Sequence, residues 1–299
     1  MPQQTHSHWH GYQSIRHLVI FGASYCDVGY RSTSMLHPSE EHPLGVVFSG
    51  YNWAEDNKPN WVGYLITEFA PGHNILVYDY AVGGDRVDGV VSQIQRHFIP
   101  TVGQKPDWAP WSSGDTLFIT WVGINDCAFL GTEEGIRKSI DKLFDQQDCL
   151  YATGARNFLL IDVPPIHRSP GVLVSRAEST SLAIQLWNKI LQEAIAHFNS
   201  THSDATALIY SSYDLFTRIL DDPVAYGFQV EDRRKRGGGI WKDNIHPKAR
   251  VHQEIAREIS ALLEMRPVFG DTDVAESLLP DPPQQGCFRA QLLGCGLVD

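Results

Sequence analysis

The chain has 299 residues, of which 42% are hydrophobic, and a formal net charge of −11. It is long enough to bury a large core. Its acidity argues against the basic surface that nucleic-acid binders and polybasic membrane-binding segments need, so we expect neither partner.

The first 16 residues are expected to form an N-terminal tail. They lack the basic segment and the long apolar segment of a secretory signal peptide. The default expectation is therefore a cytoplasmic protein, or a secreted one if a leader had been removed. His6, His8 and His10 alternate like metal ligands, but no acid or cysteine lies beside them. We interpret them as solvated residues, and the sequence predicts no metal and no cofactor.

Five short apolar segments are followed by turn residues, which is typical of buried strands. They are residues 17–21, 74–80, 117–122, 157–163 and 205–210. Segments with apolar residues at helical spacing alternate with them. These are residues 59–69, 87–98, 133–151, 176–199, 212–220 and 246–265. The alternation predicts right-handed crossovers and one α/β domain, residues 17–265, whose parallel sheet is covered by helices on both faces.

Three stretches lack this pattern. Residues 30–58 are predicted to form a long loop over one edge of the sheet. Residues 221–242 are predicted to form a flexible loop, whose basic run Arg233–Arg236 is most simply a solvated surface. Residues 266–299 are expected to be a C-terminal extension, packed on the surface or partly disordered. Whether either loop forms a lid is left open.

The five cysteines of the chain lack paired spacing, which favours reduced thiols over a disulfide framework. A bridge between Cys287 and Cys295 is the alternative that the spacing leaves open.

One short motif near the C-terminus places Asp243 three residues before His246. A serine hydroxyl becomes a nucleophile when a base takes its proton, and an imidazole is that base when a carboxylate holds its other nitrogen. Ser24 follows the first predicted strand and the turn at Gly22. The three residues predict the triad of a hydrolase.

Two further motifs, Ala81–Asp85 and Val122–Asp126, also follow predicted strands. A tetrahedral intermediate needs donors directed at its oxyanion. The backbone N–H groups of Ser24 and Gly84 and the side-chain amide of Asn125 can supply three. Because the carboxyl ends of parallel strands meet at one edge of a sheet, these donors should lie near the triad.

Two assignments in these motifs have alternatives. Gly83 is the alternative to Gly84 as an oxyanion donor. Asp126 is interpreted as a cap of the turn that follows it, and a hydrogen bond within the site is the other interpretation.

These four motifs, in this order and across nearly the whole chain, resemble those of the SGNH, or GDSL, hydrolase superfamily. The flanking sequences most resemble fungal carbohydrate esterase family 16 acetylesterases. Those sequences are Phe-Gly-x-Ser-Tyr, Pro-Asn-Trp-Val-x-Tyr-Leu, Tyr-Ala-x-Gly-Gly, Val-Pro-Pro-Ile-x-Arg-Ser-Pro and Ile-His-Pro. The resemblance implies a flavodoxin-like fold, a single-domain three-layer α/β/α sandwich with a five-stranded parallel sheet. It implies that Ser24 is the nucleophile, His246 the base and Asp243 its orienting acid, with Gly84 and Asn125 as oxyanion donors.

One residue departs from the superfamily pattern. Its first block is normally Gly-Asp-Ser, whereas this chain has Gly22-Ala23-Ser24. A carboxylate that could hold the nucleophile turn by local hydrogen bonds is therefore missing. Because that carboxylate is not a triad member, its loss could loosen the serine without abolishing catalysis, or it could mark an esterase activity that has been retuned or lost. We favour retained acyl chemistry.

The sequence thus favours a serine esterase that removes acetyl or another short acyl group from an alcohol, either a sugar or a small secondary metabolite. An acyltransferase or cyclising enzyme with the same triad is one alternative. A non-acyl catalytic or binding protein on this scaffold, suggested by Ala23, is another. Tyr25, Trp121 and Trp241 are candidates to line an acyl or sugar pocket, with core positions as the alternative for the tryptophans. A small-molecule ester is the expected partner, and the oligomeric state is left open.

Overall fold

The computed structural model describes residues 5–34 and 36–270, which are built around a five-stranded sheet. The strands are β1 (His17–Gly22), β2 (Leu76–Asp79), β3 (Thr116–Trp121), β4 (Asn157–Ile161) and β5 (Thr206–Tyr210). Their order is β2-β1-β3-β4-β5, and every neighbouring pair is parallel. The predicted α/β class and parallel sheet are confirmed.

Helices lie on both sides of the sheet, and seven α-helices occur among the described residues. They are α1 (Trp61–Thr67), α2 (Val87–Ser92), α3 (Ile124–Cys127), α4 (Glu133–Ala152), α5 (Val174–Thr201), α6 (Ser212–Asp221) and α7 (Ala249–Glu264). The predicted helix at 87–98 divides into α2 and a π-helical turn, Gln93–Phe98. The short α3 was not predicted, because four residues carry no periodic pattern.

Side-chain caps fix where several helices begin. Asn60 accepts the backbone N–H of Val62 at 3.1 Å before α1. Thr132 accepts from Gly135 at 3.1 Å before α4. Each cap pairs a donor that the first helical turn leaves unsatisfied.

Residues 5–16, which the sequence assigns to a tail, contribute Trp9, Tyr12 and Ile15 to the core. The indole N–H of Trp9 donates to the carbonyl of Arg266 at 3.3 Å, beyond the end of α7. Burying these three apolar side chains is favourable, because it removes their surface from water. The segment is therefore anchored to the domain.

The described part of residues 30–58 consists of turns and irregular backbone, and the basic run Arg233–Arg236 is exposed. Cys26, Cys127 and Cys149 are free thiols. Residues 271–299, including the Cys287–Cys295 pair, lie outside the described residues. No helix in the described part of the chain is long and apolar enough to cross a membrane.

His252 on α7 is fully buried, with its ring centroid 6.0 Å from that of Tyr25. Burial, with a smaller contribution from the neighbouring His246, lowers the pKa of His252 to about 3. A histidine in the unfolded chain has a pKa of about 6.5, so between these values the unfolded state binds more protons. The stability that depends on neutral His252 is complete above about pH 6.5 and is lost as the pH falls.

We expect the substitution His252→Leu to weaken the acid dependence of stability. In the parent protein, lowering the pH from about 6.5 to about 5 should cost about 2 kcal/mol through His252 alone. The variant should lack that component in denaturant unfolding measured across this range. His10→Gln, at an exposed histidine, is the control. Parent-like pH dependence in His252→Leu would contradict a buried neutral imidazole.

Candidate active site

Three side chains form a hydrogen-bonded chain where β1 ends and α7 is about to begin. Ser24 Oγ lies 2.9 Å from His246 Nε2. His246 Nδ1 lies 2.8 Å from Asp243 Oδ2 and 3.1 Å from Oδ1. The structure therefore brings together the predicted nucleophile, base and orienting acid in the geometry that such a triad requires.

The loop that carries Asp243 also fixes its carboxylate. Oδ1 accepts the backbone N–H groups of Ile245 and His246, both at 2.9 Å. Burial acts to raise the pKa of Asp243, but the hydrogen bonds from His246 and Ile245 outweigh it and hold that pKa below its ordinary value. The carboxylate is thus charged at neutral pH and can hold His246 Nδ1–H.

Tyr25 supports this loop from beneath. Its hydroxyl donates to the carbonyl of Ile245 at 2.5 Å, and its ring centroid lies 6.0 Å from that of His246. The side chain is buried, and burial raises its pKa well above the ordinary value. Tyr25 therefore holds the triad loop in place. The sequence had suggested that it lines a substrate pocket, and its burial corrects that assignment.

The two tryptophans proposed to line a pocket also lie in the core. Trp121 is 2% exposed and Trp241 is 0% exposed. Their indole N–H groups donate to the carbonyls of Asp162 at 2.9 Å and Arg233 at 3.0 Å. Because neither ring offers a free face and each polar edge is already paired, the pocket assignment is corrected to a structural one.

The turn that presents Ser24 is held by a side chain from α1's N-terminus. Asn60 is buried, and its Nδ2 donates to the carbonyl of Cys26 at 2.8 Å. The turn also closes on itself, because the N–H groups of Cys26 and Asp27 donate to the carbonyl of Ala23 at 2.9 and 3.1 Å. Asn60 was missed by sequence reasoning, since nothing local links it to Ser24.

The geometry discriminates between the two glycines proposed as oxyanion donors. The N–H of Gly83 donates to Asp27 Oδ2 at 2.9 Å, so it is already engaged. Within residues 5–34 and 36–270, no hydrogen bond occupies the N–H of Gly84 or of Ser24. This favours Gly84 over Gly83.

Asn125 lies on α3, next to these backbone donors. Its Nδ2 donates one hydrogen to the carbonyl of Asp85 at 2.9 Å, which leaves the second for an oxyanion. Among the described residues, the carboxylate of Asp126 accepts no hydrogen bond from the turn that follows it, so the capping interpretation is corrected. Its Oδ1 accepts the N–H of Val87 at 3.2 Å and so ties α3 to the start of α2.

Trp53, in the loop of residues 30–58, is a site residue that the sequence did not identify. Its ring stacks on His246, with centroids 4.9 Å apart and planes inclined by 26°. It also covers Gly83, where a Cβ atom would lie 2.6 Å from the indole. Its Nε1 is buried without a partner among the described residues. The only signal in the sequence was a tryptophan in a long loop. Its partner His246 is far away in sequence, so no local pattern links the two residues.

The loop that carries Trp53 is anchored on the helix that follows the base. Glu55 Oε2 accepts the N–H of Ala249 at 3.0 Å, and Lys248 Nζ lies 3.5 Å from Glu55 Oε1. These bonds hold the indole over His246.

The chain is similar to known acyl hydrolases along most of its length. The family model described as GDSL-like Lipase/Acylhydrolase matches residues 18–259. A protein of Thermothelomyces thermophilus named acetylesterase is 30% identical over 269 residues, which cover 83% of this chain and 88% of the relative.

Two more distant relatives are also informative. A protein of Hypocrea jecorina named acetylesterase is 24% identical, with 87% of this chain and 92% of the relative covered. A protein of Aeromonas hydrophila named phosphatidylcholine-sterol acyltransferase is 24% identical, with 75% of this chain and 67% of the relative covered.

Asn125→Ala should remove a donor to the oxyanion. We expect kcat for a p-nitrophenyl ester to fall by on the order of a hundredfold to a thousandfold, because the lost bond stabilises the transition state. Steady-state kinetics would measure this change. Asn74→Ala, at an exposed asparagine before β2, is the control. An unchanged turnover number in Asn125→Ala would remove Asn125 from the site.

Trp53→Ala should uncover one face of His246 and loosen the wall above Gly83. We expect kcat to fall roughly tenfold to a hundredfold, because the base is less well held and water reaches it. Trp53→Phe keeps an aromatic face and lacks only an N–H that has no partner among the described residues, so it should retain more activity than Trp53→Ala. Tyr51→Ala changes an exposed ring of the same loop and should match the parent. Parent-like kinetics in Trp53→Ala would refute the role of the stacked ring.

Proposed function

Because the chain belongs to the GDSL-like lipase/acylhydrolase family and is a carboxylic ester hydrolase, we propose that it removes acetyl or another short acyl group from an alcohol through an acyl-enzyme. The observation that carries this proposal is the unbroken contact chain from Ser24 through His246 to Asp243, with heavy-atom distances of 2.9 and 2.8 Å. Nothing needs to move before His246 can take the serine proton.

In the first half-reaction, Ser24 Oγ attacks the ester carbonyl carbon while His246 Nε2 takes the hydroxyl proton. The charged carboxylate of Asp243 stabilises the imidazolium that forms. The oxyanion accepts hydrogen bonds from the N–H groups of Ser24 and Gly84 and from Asn125 Nδ2. The bond between the carbonyl carbon and the alcohol oxygen then breaks, and His246 gives its proton to the departing alcohol.

In the second half-reaction, water attacks the acyl group on Ser24. His246 takes a proton from that water, and the same three donors stabilise the second tetrahedral intermediate. The bond between the carbonyl carbon and Ser24 Oγ then breaks. The proton returns to Ser24 Oγ, and a carboxylic acid leaves. The products are one alcohol and one acid, so no cofactor enters the balance.

A short acyl group and a sugar or small metabolite as the alcohol are the finer part of the proposal. For the acyl group, the support is the two relatives named acetylesterase, whose matches cover 83% and 87% of this chain.

Acyl transfer is a second candidate, favoured by the similarity to the protein named an acyltransferase. The same acyl-enzyme would pass its acyl group to an alcohol in place of water. Product analysis with a competing alcohol separates the two reactions, because transfer yields a new ester. The hydrogen-bonded triad favours acyl chemistry over the alternative of a non-acyl catalytic or binding protein.

The test compares the parent and Ser24→Ala on p-nitrophenyl acetate, butyrate and octanoate. We expect the acetate to be turned over fastest, and Ser24→Ala to lose at least about a thousandfold in kcat because the acyl-enzyme cannot form. Intact mass after treatment with a fluorophosphonate should show one adduct on the parent and none on Ser24→Ala. Ser32→Ala, a serine of the neighbouring loop, should behave like the parent. No turnover and no adduct on the parent would overturn the proposed function.

A further inference from the structure

Ala23 leaves the position before the nucleophile without a carboxylate, yet a buried amide holds Gly22, the residue before Ala23. Gln93, at the end of α2, is 3% exposed. Its Oε1 accepts the N–H of Gly22 at 3.0 Å, and its Nε2 donates to the carbonyl of Gly22 at 2.8 Å. One planar group thus fixes both backbone polar groups at the end of β1.

A second side chain fixes this amide in turn. The other hydrogen of Gln93 Nε2 is donated to Asp85 Oδ2 at 2.8 Å. Since Oε1 and both Nε2 hydrogens are paired, a flipped amide would lose all three bonds. The orientation of Gln93 is therefore determined by its partners.

Asp85 also belongs to the oxyanion loop. It follows Gly84 directly, and its carbonyl accepts from Asn125 Nδ2 at 2.9 Å. A continuous series of bonds thus runs from Gly22, beside the nucleophile, through Gln93 and Asp85 to two of the proposed oxyanion donors.

We propose that Gln93 and Asp85, here called the Gln93–Asp85 clamp, are positioning residues that set the distance between Ser24 and the oxyanion donors. The clamp supplies from another element the restraint that Ala23 cannot supply locally. This inference rests on the proposed function and adds to it two residues that touch no substrate.

Gly89 on α2 provides independent support. A glycine inside a helix is less stable than alanine there. A Cβ at Gly89, however, would lie 2.2 Å from Asp85 Cγ and 2.4 Å from its Oδ2. The glycine therefore leaves room for the carboxylate of the clamp. A cavity of about 230 Å³ bordered by Asp85, Gly89 and Gln93 gives a displaced carboxylate space to move.

Gln93→Met tests the clamp directly, because methionine has a similar length and cannot pair with Gly22. We expect kcat for p-nitrophenyl acetate to fall by about a hundredfold with KM within about twofold, as misplaced reacting groups predict. The rate of fluorophosphonate labelling of Ser24 should fall by a similar factor. Gln95→Met is the matched control, because Gln95 lies in the same helical turn as Gln93. This substitution breaks the 2.8 Å bond from Gln95 to Gln146 on α4, and its kinetics should match the parent.

Gly89→Ala tests the clamp without weakening the helix. The added methyl group should push Asp85 away from Gln93, and the better helix propensity of alanine offsets part of the stability that is lost with that bond. We expect kcat and the labelling rate to fall on the order of tenfold. A loss of rate in a variant that keeps the far-UV circular dichroism signal of the parent at the assay temperature cannot come from unfolding.

The outcomes separate the clamp from the reaction that it would serve. A parent protein without turnover or adduct would refute the proposed function. With an active parent, Gln93→Met kinetics equal to those of Gln95→Met would overturn the clamp. So would a parent-like Gly89→Ala together with a Gln93→Met variant whose lost activity tracks a lost far-UV circular dichroism signal, because Gln93 would then act only in folding.

Discussion

The close approach of β1 to β3 at their carboxyl ends is the constraint on which the site depends. Gly22 pairs with Trp121, and a Cβ at Gly22 would lie 2.4 Å from the carbonyl of Trp121. Only glycine allows the two strands to stay together to this point. Because β1 lies between β2 and β3, the loops after all three strands then meet above one edge of the sheet, which brings Ser24, Gly84 and Asn125 together.

The base and its acid come from the opposite end of the chain, so their placement depends on packing. Helix α7 packs against α1, and Asn60 at the start of α1 holds the nucleophile turn. Tyr25 then bonds the carbonyl of Ile245, between Asp243 and His246. The distance between nucleophile and base is thus set by buried hydrogen bonds on both sides, whose loss would leave unpaired groups in the core.

The sequence predicted the parallel sheet and the place of the motifs after its strands, because strand period, helix period and turn residues are local signals. It proposed pocket positions for Tyr25, Trp121 and Trp241, with the core as the alternative for the tryptophans, because nearness to a motif in sequence does not show which way a side chain points. All three are buried. Trp53, Asn60 and Gln93 could not be found, since each acts through a contact with a segment distant in sequence. Such contacts exist only once the sheet order is known.

Ala23 shows how a departure from a family pattern can be absorbed. A carboxylate at position 23 could restrain the turn through one or two local bonds. In this chain the restraint comes from Gln93 on one side of the turn and Asn60 on the other, both buried and both bonded to backbone carbonyls. The order of the nucleophile therefore depends on how α1 and α2 pack on the sheet, and the same contacts that stabilise the fold also define the geometry of the reaction.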